Sequence, residues 1–242
     1  MLASAVAVLL AGWLIGATGI GGVLVVPVLN QLQGVPLPQA IGAASLAFAL
    51  PGLAAAWRLH RGGTPLPAGT LALTLASLPG AALGALLVHR VSPHWLLAGL
   101  AVLALASGVW GLRRRPSLHD RAPLPMAAMA ALGVGVGLGS ALTGTGGPVL
   151  LVPLLMLLHQ PLRTTVPVAQ AIQLPVALCA AAGHACAGAL DWRLALVLGV
   201  VLLAGALAGQ WAAPRTPALA LHRLVCILLI LTGAWYGWRL WS

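Results

Sequence analysis

Eight long apolar runs, joined by connections of a few residues, leave this chain one environment in which to fold. The runs are roughly 2–33, 37–57, 66–88, 93–112, 126–158, 164–187, 192–213 and 217–241. A membrane-spanning helix needs about 20 mainly apolar residues. Apolar residues fill 61% of the 242 positions and charged residues only 6%, against roughly 25% charged in soluble globular proteins. So few charges cannot cover a surface facing water, which excludes a soluble domain. The expectation is an all-α, polytopic protein whose first partner is the lipid bilayer.

The charges are unusual in kind. All 12 basic residues are Arg, Lys and Glu are absent, and the only acids are Asp120 and Asp191. A formal charge of +10 does not make a nucleic-acid binder, because a chain this apolar has no solvated basic face. Arg at the ends of membrane segments, biased to the cytoplasm, accounts for it. Cys179, Cys186 and Cys226 form no CxxC pair and lie in apolar sequence, where a thiol packs as a small hydrophobe. The N-terminal MLASAVAVLLAGWLIG lacks the basic region of a signal peptide, and apolar sequence continues past it. It is expected to stay as a membrane segment. His184 lies near Cys186 and Asp191, but a metal there would need further ligands from elsewhere. Neither a metal nor a cofactor is expected.

The chain repeats itself. TGIGGVLVVP at 18–27 returns as TGTGGPVLLVP at 143–153, so Thr18, Gly19, Gly21 and Gly22 match Thr143, Gly144, Gly146 and Gly147. GVPLP at 34–38 echoes QPLR at 160–163, Leu50-Pro51 echoes Leu174-Pro175, and Gly80-x3-Gly84 echoes Gly205-x3-Gly209. An ordered series of this kind reads as an internal duplication, a feature of secondary transporters. The division expected is a first membrane repeat at 1–112, a basic cytoplasmic linker at 113–125 and a second repeat at 126–242. The Gly-x3-Gly pairs read as close helix packing.

Runs one and five are interrupted by glycine halfway along. The pieces before and after each break, about 15 and 11 residues, span about 22 Å and 16 Å as helix, more than the ~30 Å hydrocarbon core together. Each run either crosses as a tilted broken helix or enters, turns at the glycines and returns. Eight crossings place eight Arg in the cytoplasm and four outside; two re-entrant hairpins place nine inside and three outside, with the halves inverted. The positive-inside bias favours the hairpins.

A glycine break at membrane depth needs partners for its main-chain polar groups, because lipid offers none. The glycines allow positive φ and close approach of another group. Each following half-helix, beginning at Val23 and at Pro148, points free N–H groups and the positive end of its dipole at the break. With the hydroxyls of Thr18, Thr143 and Thr145, this arrangement suits an anion with several acceptor oxygens. Gln170 and Gln173 share a helix face and belong inside the bundle, where they either bond another helix or meet a solute. Ser45 holds the matching position in the first half.

GATGIGGVLVVPVL and TGTGGPVLLVPLL resemble the paired Gly-rich signatures of the TauE/SafE family of membrane transporters, the sulfite exporters. AIGAASLA at 40–47 is similar to that family's Gly-Thr-Ser-Leu stretch, and HACAGALDWRLAL at 184–196 to its Gly-x-x-Asp-Trp turn. The resemblance spans nearly the whole chain. It implies transport of small anions, often sulfur oxyanions or organosulfonates, across a bacterial inner membrane. Val23 and Pro148 stand where the pattern has a third glycine, and Val168-Ala169-Gln170 replaces its second Thr-Ser.

The function expected is therefore a carrier, export being its direction, with the anion between the two breaks. A channel or uniporter is the first alternative. Self-association into a homo-oligomer is left open. An enzyme is not expected: no paired acids lie in the membrane runs, Ser140 has no histidine in its run before His159, and GxxxxGK[ST] is absent. The substrate site expected comprises Thr18, Gly19, Gly21, Gly22, Ser45, Thr143, Gly144, Thr145, Gly146, Gly147, Gln170 and Gln173.

Overall fold

The computed structural model describes residues 2–63, 66–88, 92–113 and 124–241. Most of the linker, including Arg114, Arg115, Asp120 and Arg121, lies outside them. The described residues form helices and turns, with no strand among them. Eleven α-helical pieces follow one another: α1 Leu2–Thr18, α2 Val25–Pro27, α3 Leu37–Ala47, α4 Ala49–Arg61, α5 Gly69–Leu87, α6 Pro93–Arg113, α7 Met126–Thr143, α8 Pro148–Leu157, α9 Leu162–Cys186, α10 Trp192–Ala212 and α11 Ala218–Trp241. A 3-10 turn, Gly21–Leu24, leads into α2, and a π turn, Val28–Leu32, follows it. Five helices among the described residues are long and apolar enough to cross a membrane: Leu37–Arg61, Gly69–Leu87, Met126–Thr143, Thr164–Cys186 and Trp192–Arg215. Leu71, Leu75, Leu83, Val197, Val200 and Leu231 are exposed on their outer faces, as residues toward lipid would be.

Local chemistry sets the ends of these helices. α3 and α4 form one near-continuous rod with a step at Phe48, three residues before Pro51, whose missing N–H leaves the Ala47 carbonyl without its helical donor. α10 starts at Asp191, which accepts a hydrogen bond from the Leu194 N–H at 3.0 Å and satisfies one of the orphan donors of the first turn. α8 starts with Pro148 at its first position, where no N–H is needed. Asn30 Nδ2 donates to the Val35 carbonyl at 2.9 Å and closes the turn that ends the π segment.

Helix packing rests on small residues. Lipid tails are as apolar as leucine, so helices in a bilayer gain most by close approach of their backbones. Gly12 and Gly16 of α1 lie against the carbonyls of Leu202 and Ala206, while Gly205 and Gly209 of α10 lie against those of Leu9 and Trp13. A Cβ at any of these four would overlap the opposing backbone. The same reciprocal seam joins α5 to α7: Gly80 and Gly84 meet Val134 and Leu138, and Gly133 and Gly137 meet Leu73 and Ser77. In each seam the residue numbers rise together, so the paired helices run parallel. α6 and α11 pair in opposite senses, Gly108 against Ile230 and Gly233 against Ala101 and Leu105.

Further contacts fix the remaining directions. Gly52 meets Leu174 and Gly42 meets His184, so the α3–α4 rod runs antiparallel to α9. Cys179 Sγ lies 3.2 Å from the Leu78 carbonyl and Gly183 packs on Ala85, so α9 runs parallel to α5. Gly42 meets Ala189 and Gly199 meets Ala47, so the rod runs parallel to α10. Helices α1, α3–α4 and α10 therefore point one way, and α5, α7 and α9 the other. At one end of the bundle Arg61 stacks over Trp57 at 4.4 Å, Arg215 over Trp211 at 3.8 Å, and Arg58 Nη1 donates to the Gln210 carbonyl at 3.2 Å.

Candidate functional site

The first glycine segment reverses the chain. Thr18 ends α1, its hydroxyl donating to the Leu14 carbonyl at 2.8 Å and accepting from the Ile20 N–H at 3.2 Å. Gly19, at φ +82°, turns the backbone. Gly21 then lies against the Ala11 carbonyl and the Ile15 nitrogen, two turns back along α1. A helix that continued straight could not bring residues 11 and 21 together.

The second segment turns more sharply. Gly144, Gly146 and Gly147 adopt φ of +64°, +81° and +80°, a region that costs an L-residue roughly 1–2 kcal/mol. The N–H groups of Gly144 and Thr145 both reach the Ser140 carbonyl, at 2.8 and 3.3 Å. Leu150 of α8 packs over Gly139 of α7, so this limb also folds back.

The two turns meet. Gly22 lies directly against the Thr145 carbonyl, Gly144 against Val26 and Ile41, and a Cβ at Gly19 would stand 3.5 Å from Pro148. Between them lies the ring of Phe48. A Cβ at Gly22 would come within 3.1 Å of that ring, and one at Gly146 within 2.7 Å. Everything here is enclosed: Thr18, Gly21, Gly22, Phe48 and residues 144–147 are buried.

The polar groups divide sharply. A hydroxyl has one proton to give. Thr18 gives its proton to Leu14, Thr143 to the Gly139 carbonyl at 2.7 Å, and Ser45 to the Ile41 carbonyl at 2.8 Å. Thr143 Oγ1 also lies 2.9 Å from Thr145 Oγ1, and since the Thr143 proton is already engaged, Thr145 donates in that pair. None of these expected hydroxyl donors is free in this conformation, and Ser45 is directed along its own helix. What remains is main chain: among the described residues the N–H groups of Gly146 and Gly147, just before α8, have no acceptor.

Gln170 and Gln173, both 1% exposed, reach from α9 to the first half. Gln170 Nε2 donates to the Gly16 carbonyl at 3.3 Å, and Gln173 Nε2 to the Phe48 carbonyl at 3.4 Å. The amide oxygen of each is buried with no hydrogen-bond partner. Ile172, between them in sequence, covers Gly147: a Cβ there would stand 3.6 Å from Ile172 Cδ1.

Phe48 is the residue that sequence reasoning missed. It is the sole phenylalanine in the chain, directly after the AIGAASLA stretch, and that singularity was the available signal. His184, expected near a segment end, is fully buried, with Nε2 3.1 Å from the Ala141 carbonyl. Among the described residues no group of three or more His, Cys, Asp or Glu side chains could hold a metal ion. A cavity of about 290 Å³ lies beside the first turn, walled by Leu14, Ile20, Leu24, Leu228 and Trp235 among others. Its walls are too apolar to receive an anion, and Tyr236 closes one side by donating to the Val23 carbonyl at 3.0 Å.

No curated protein and no solved structure matches the chain. The family model for the sulfite exporter TauE/SafE matches residues 4–236, which takes in both glycine turns and every helix that holds them. The chain belongs to the TauE/SafE sulfite exporter family.

Proposed function

We propose that this protein is a carrier that exports a small oxyanion, such as sulfite or a sulfonate, across the bacterial inner membrane, binding it between its two glycine turns. The family supports the coarser part of this reading, a membrane transporter of sulfite or related anions. The observation that carries the finer part is the meeting of the turns: two chain reversals in contact, with the unpaired N–H groups of Gly146 and Gly147 between them, inside a site with no fixed charge. Oriented N–H groups hold an anion without a buried cation that would trap it.

The helix directions support two inverted repeats, 1–112 and 126–242, each a re-entrant hairpin followed by three crossings. α1 and the α3–α4 rod point the same way, which requires the limb between them to return. The first limb of each hairpin leans on the second crossing helix of the other half, α1 on α10 and α7 on α5. In this arrangement Arg58, Arg61, Arg215 and the linker face the cytoplasm, in keeping with the positive-inside bias. Movement of the halves against each other would expose the site to either side in turn. The Phe48 ring filling the gap favours such a carrier over an open pore. An inside-negative potential drives anion export by about 2.3 kcal/mol per charge per 100 mV.

The test is a thermal-shift panel on the purified protein with sulfite, sulfate, sulfoacetate, taurine, halides and carboxylates, then flux of whichever stabilises it in proteoliposomes. Saturable flux with counterflow is the expected result. Flux without saturation or counterflow would assign a channel, and no stabilisation by any anion would remove the site.

A further inference from the structure

Resting on that proposed site, we infer that the bound form is a monoanion that keeps an acidic proton, a hydrogen-oxyanion such as hydrogensulfite, rather than the fully ionised dianion. The argument begins with the two orphan amide oxygens. Their identity is fixed by their neighbours. The Gly16 and Phe48 carbonyls can only accept, so each glutamine must turn its nitrogen toward them. The Gly16 carbonyl has a particular need of Gln170, because the Ile20 N–H that a continuing helix would supply is bonded to Thr18 Oγ1. The oxygens of Gln170 and Gln173 are then left as acceptors, each buried without a donor. A buried acceptor without a partner is costly, and it marks a place where a donor belongs.

Both amides border the gap. Gln170 holds the last turn of α1 before Gly19, and Gln173 holds the backbone of Phe48, whose ring touches both glycine turns. Beside the gap lie N–H donors from Gly146 and Gly147 at the start of the ten-residue α8, and the buried, unpartnered C=O groups of Gln170 and Gln173 on α9. A dianion satisfies the donors and is repelled by the acceptors. An oxyanion with one O–H accepts from the donors and gives its proton to one of the two amide oxygens. Charge argues the same way: no Arg is buried among the described residues, and the cost of burying an ion rises with the square of its charge.

The elements around α9 carry few titratable and charged groups, and His184 among them lies 3.1 Å from the Ala141 carbonyl, three residues before Gly144. These groups are Arg58, His60 and Arg61 at the end of α4 and His159 after α8, with Arg163, Cys179, His184 and Cys186 on α9 itself. Among the described residues α1, α3, α5 and α7 carry none.

The experiment measures binding of sulfite and of sulfate to the purified full-length protein at pH values on both sides of the second ionisation of sulfurous acid. Apparent sulfite affinity is expected to fall by about tenfold per pH unit above that ionisation, while sulfate, unprotonated throughout, binds far more weakly. Replacing the amides with apolar side chains of similar length, Gln170→Met with Gln173→Met, should flatten the pH dependence. Equal sulfate and sulfite binding, or sulfite affinity that rises or stays level with pH, overturns the inference and leaves the anion site standing. A pH dependence that vanishes in His184→Gln belongs to the protein and also overturns it. Failure of both anions to bind at every pH removes the proposed site together with this reading.

Discussion

Gly146→Ala isolates the contact on which the site is built. Two separable penalties act there. The backbone at φ +81° costs an alanine roughly 1–2 kcal/mol. The new methyl would also stand 2.7 Å from Phe48 Cδ2 and 2.9 Å from Cγ, and overpacking of this kind costs about 1–3 kcal/mol. Together they predict a loss of roughly 2–5 kcal/mol. Equilibrium unfolding in mixed micelles, followed by helical circular dichroism, reads it. Phe48→Leu removes the ring but not the backbone strain, so the double variant should show a favourable coupling of about 1–3 kcal/mol. Gly135→Ala is the control: it lies exposed in the same α7, nothing stands within 4 Å of its added Cβ, and it should be neutral or mildly stabilising. A Gly146→Ala variant within about 0.5 kcal/mol of the parent, or an absence of coupling to position 48, would refute the wedge between the turns.

Two further outcomes follow from the fold. In a background lacking Cys179, Cys186 and Cys226, Arg193→Cys should react with an impermeant maleimide from the periplasmic side and Arg215→Cys only from the cytoplasmic side; the reverse pattern would restore eight full crossings. Asp191→Ala removes the acceptor for the Leu194 N–H and should lower stability by about 1 kcal/mol, while Asp191→Asn keeps most of it, both read by thermal unfolding.

Much of this was legible before any coordinates because its causes are local. Apolar run length sets the helices, and Thr-Gly-x-Gly-Gly sets the two turns, glycine accepting the positive φ at Gly19 in the first and at Gly144, Gly146 and Gly147 in the second. The choice between crossing and returning was open in the sequence because both satisfy the same hydropathy. Contacts such as Gly21 on Ala11, which no composition reveals, support the returning arrangement proposed above. The glutamines were half legible. Their spacing placed them on one interior face, but only the packing shows that Gly16 and Phe48 take the nitrogens. The hydroxyls of Thr18, Thr143 and Ser45 each bond the carbonyl four residues back, a choice of rotamer that residue type alone does not fix. Phe48 stood out only as the sole phenylalanine, and its role was not legible because it depends on two glycines brought to it from opposite halves.

The parallel seams have a bearing on biogenesis. Gly12 and Gly16 find their partners only when Leu202 and Ala206 have been synthesised, near the far end of the chain. Until then the opening segment stands in the bilayer beside the translocon with a bare glycine groove. A fragment holding the first five helices should therefore be unstable alone, and rescued when the remainder is expressed in trans.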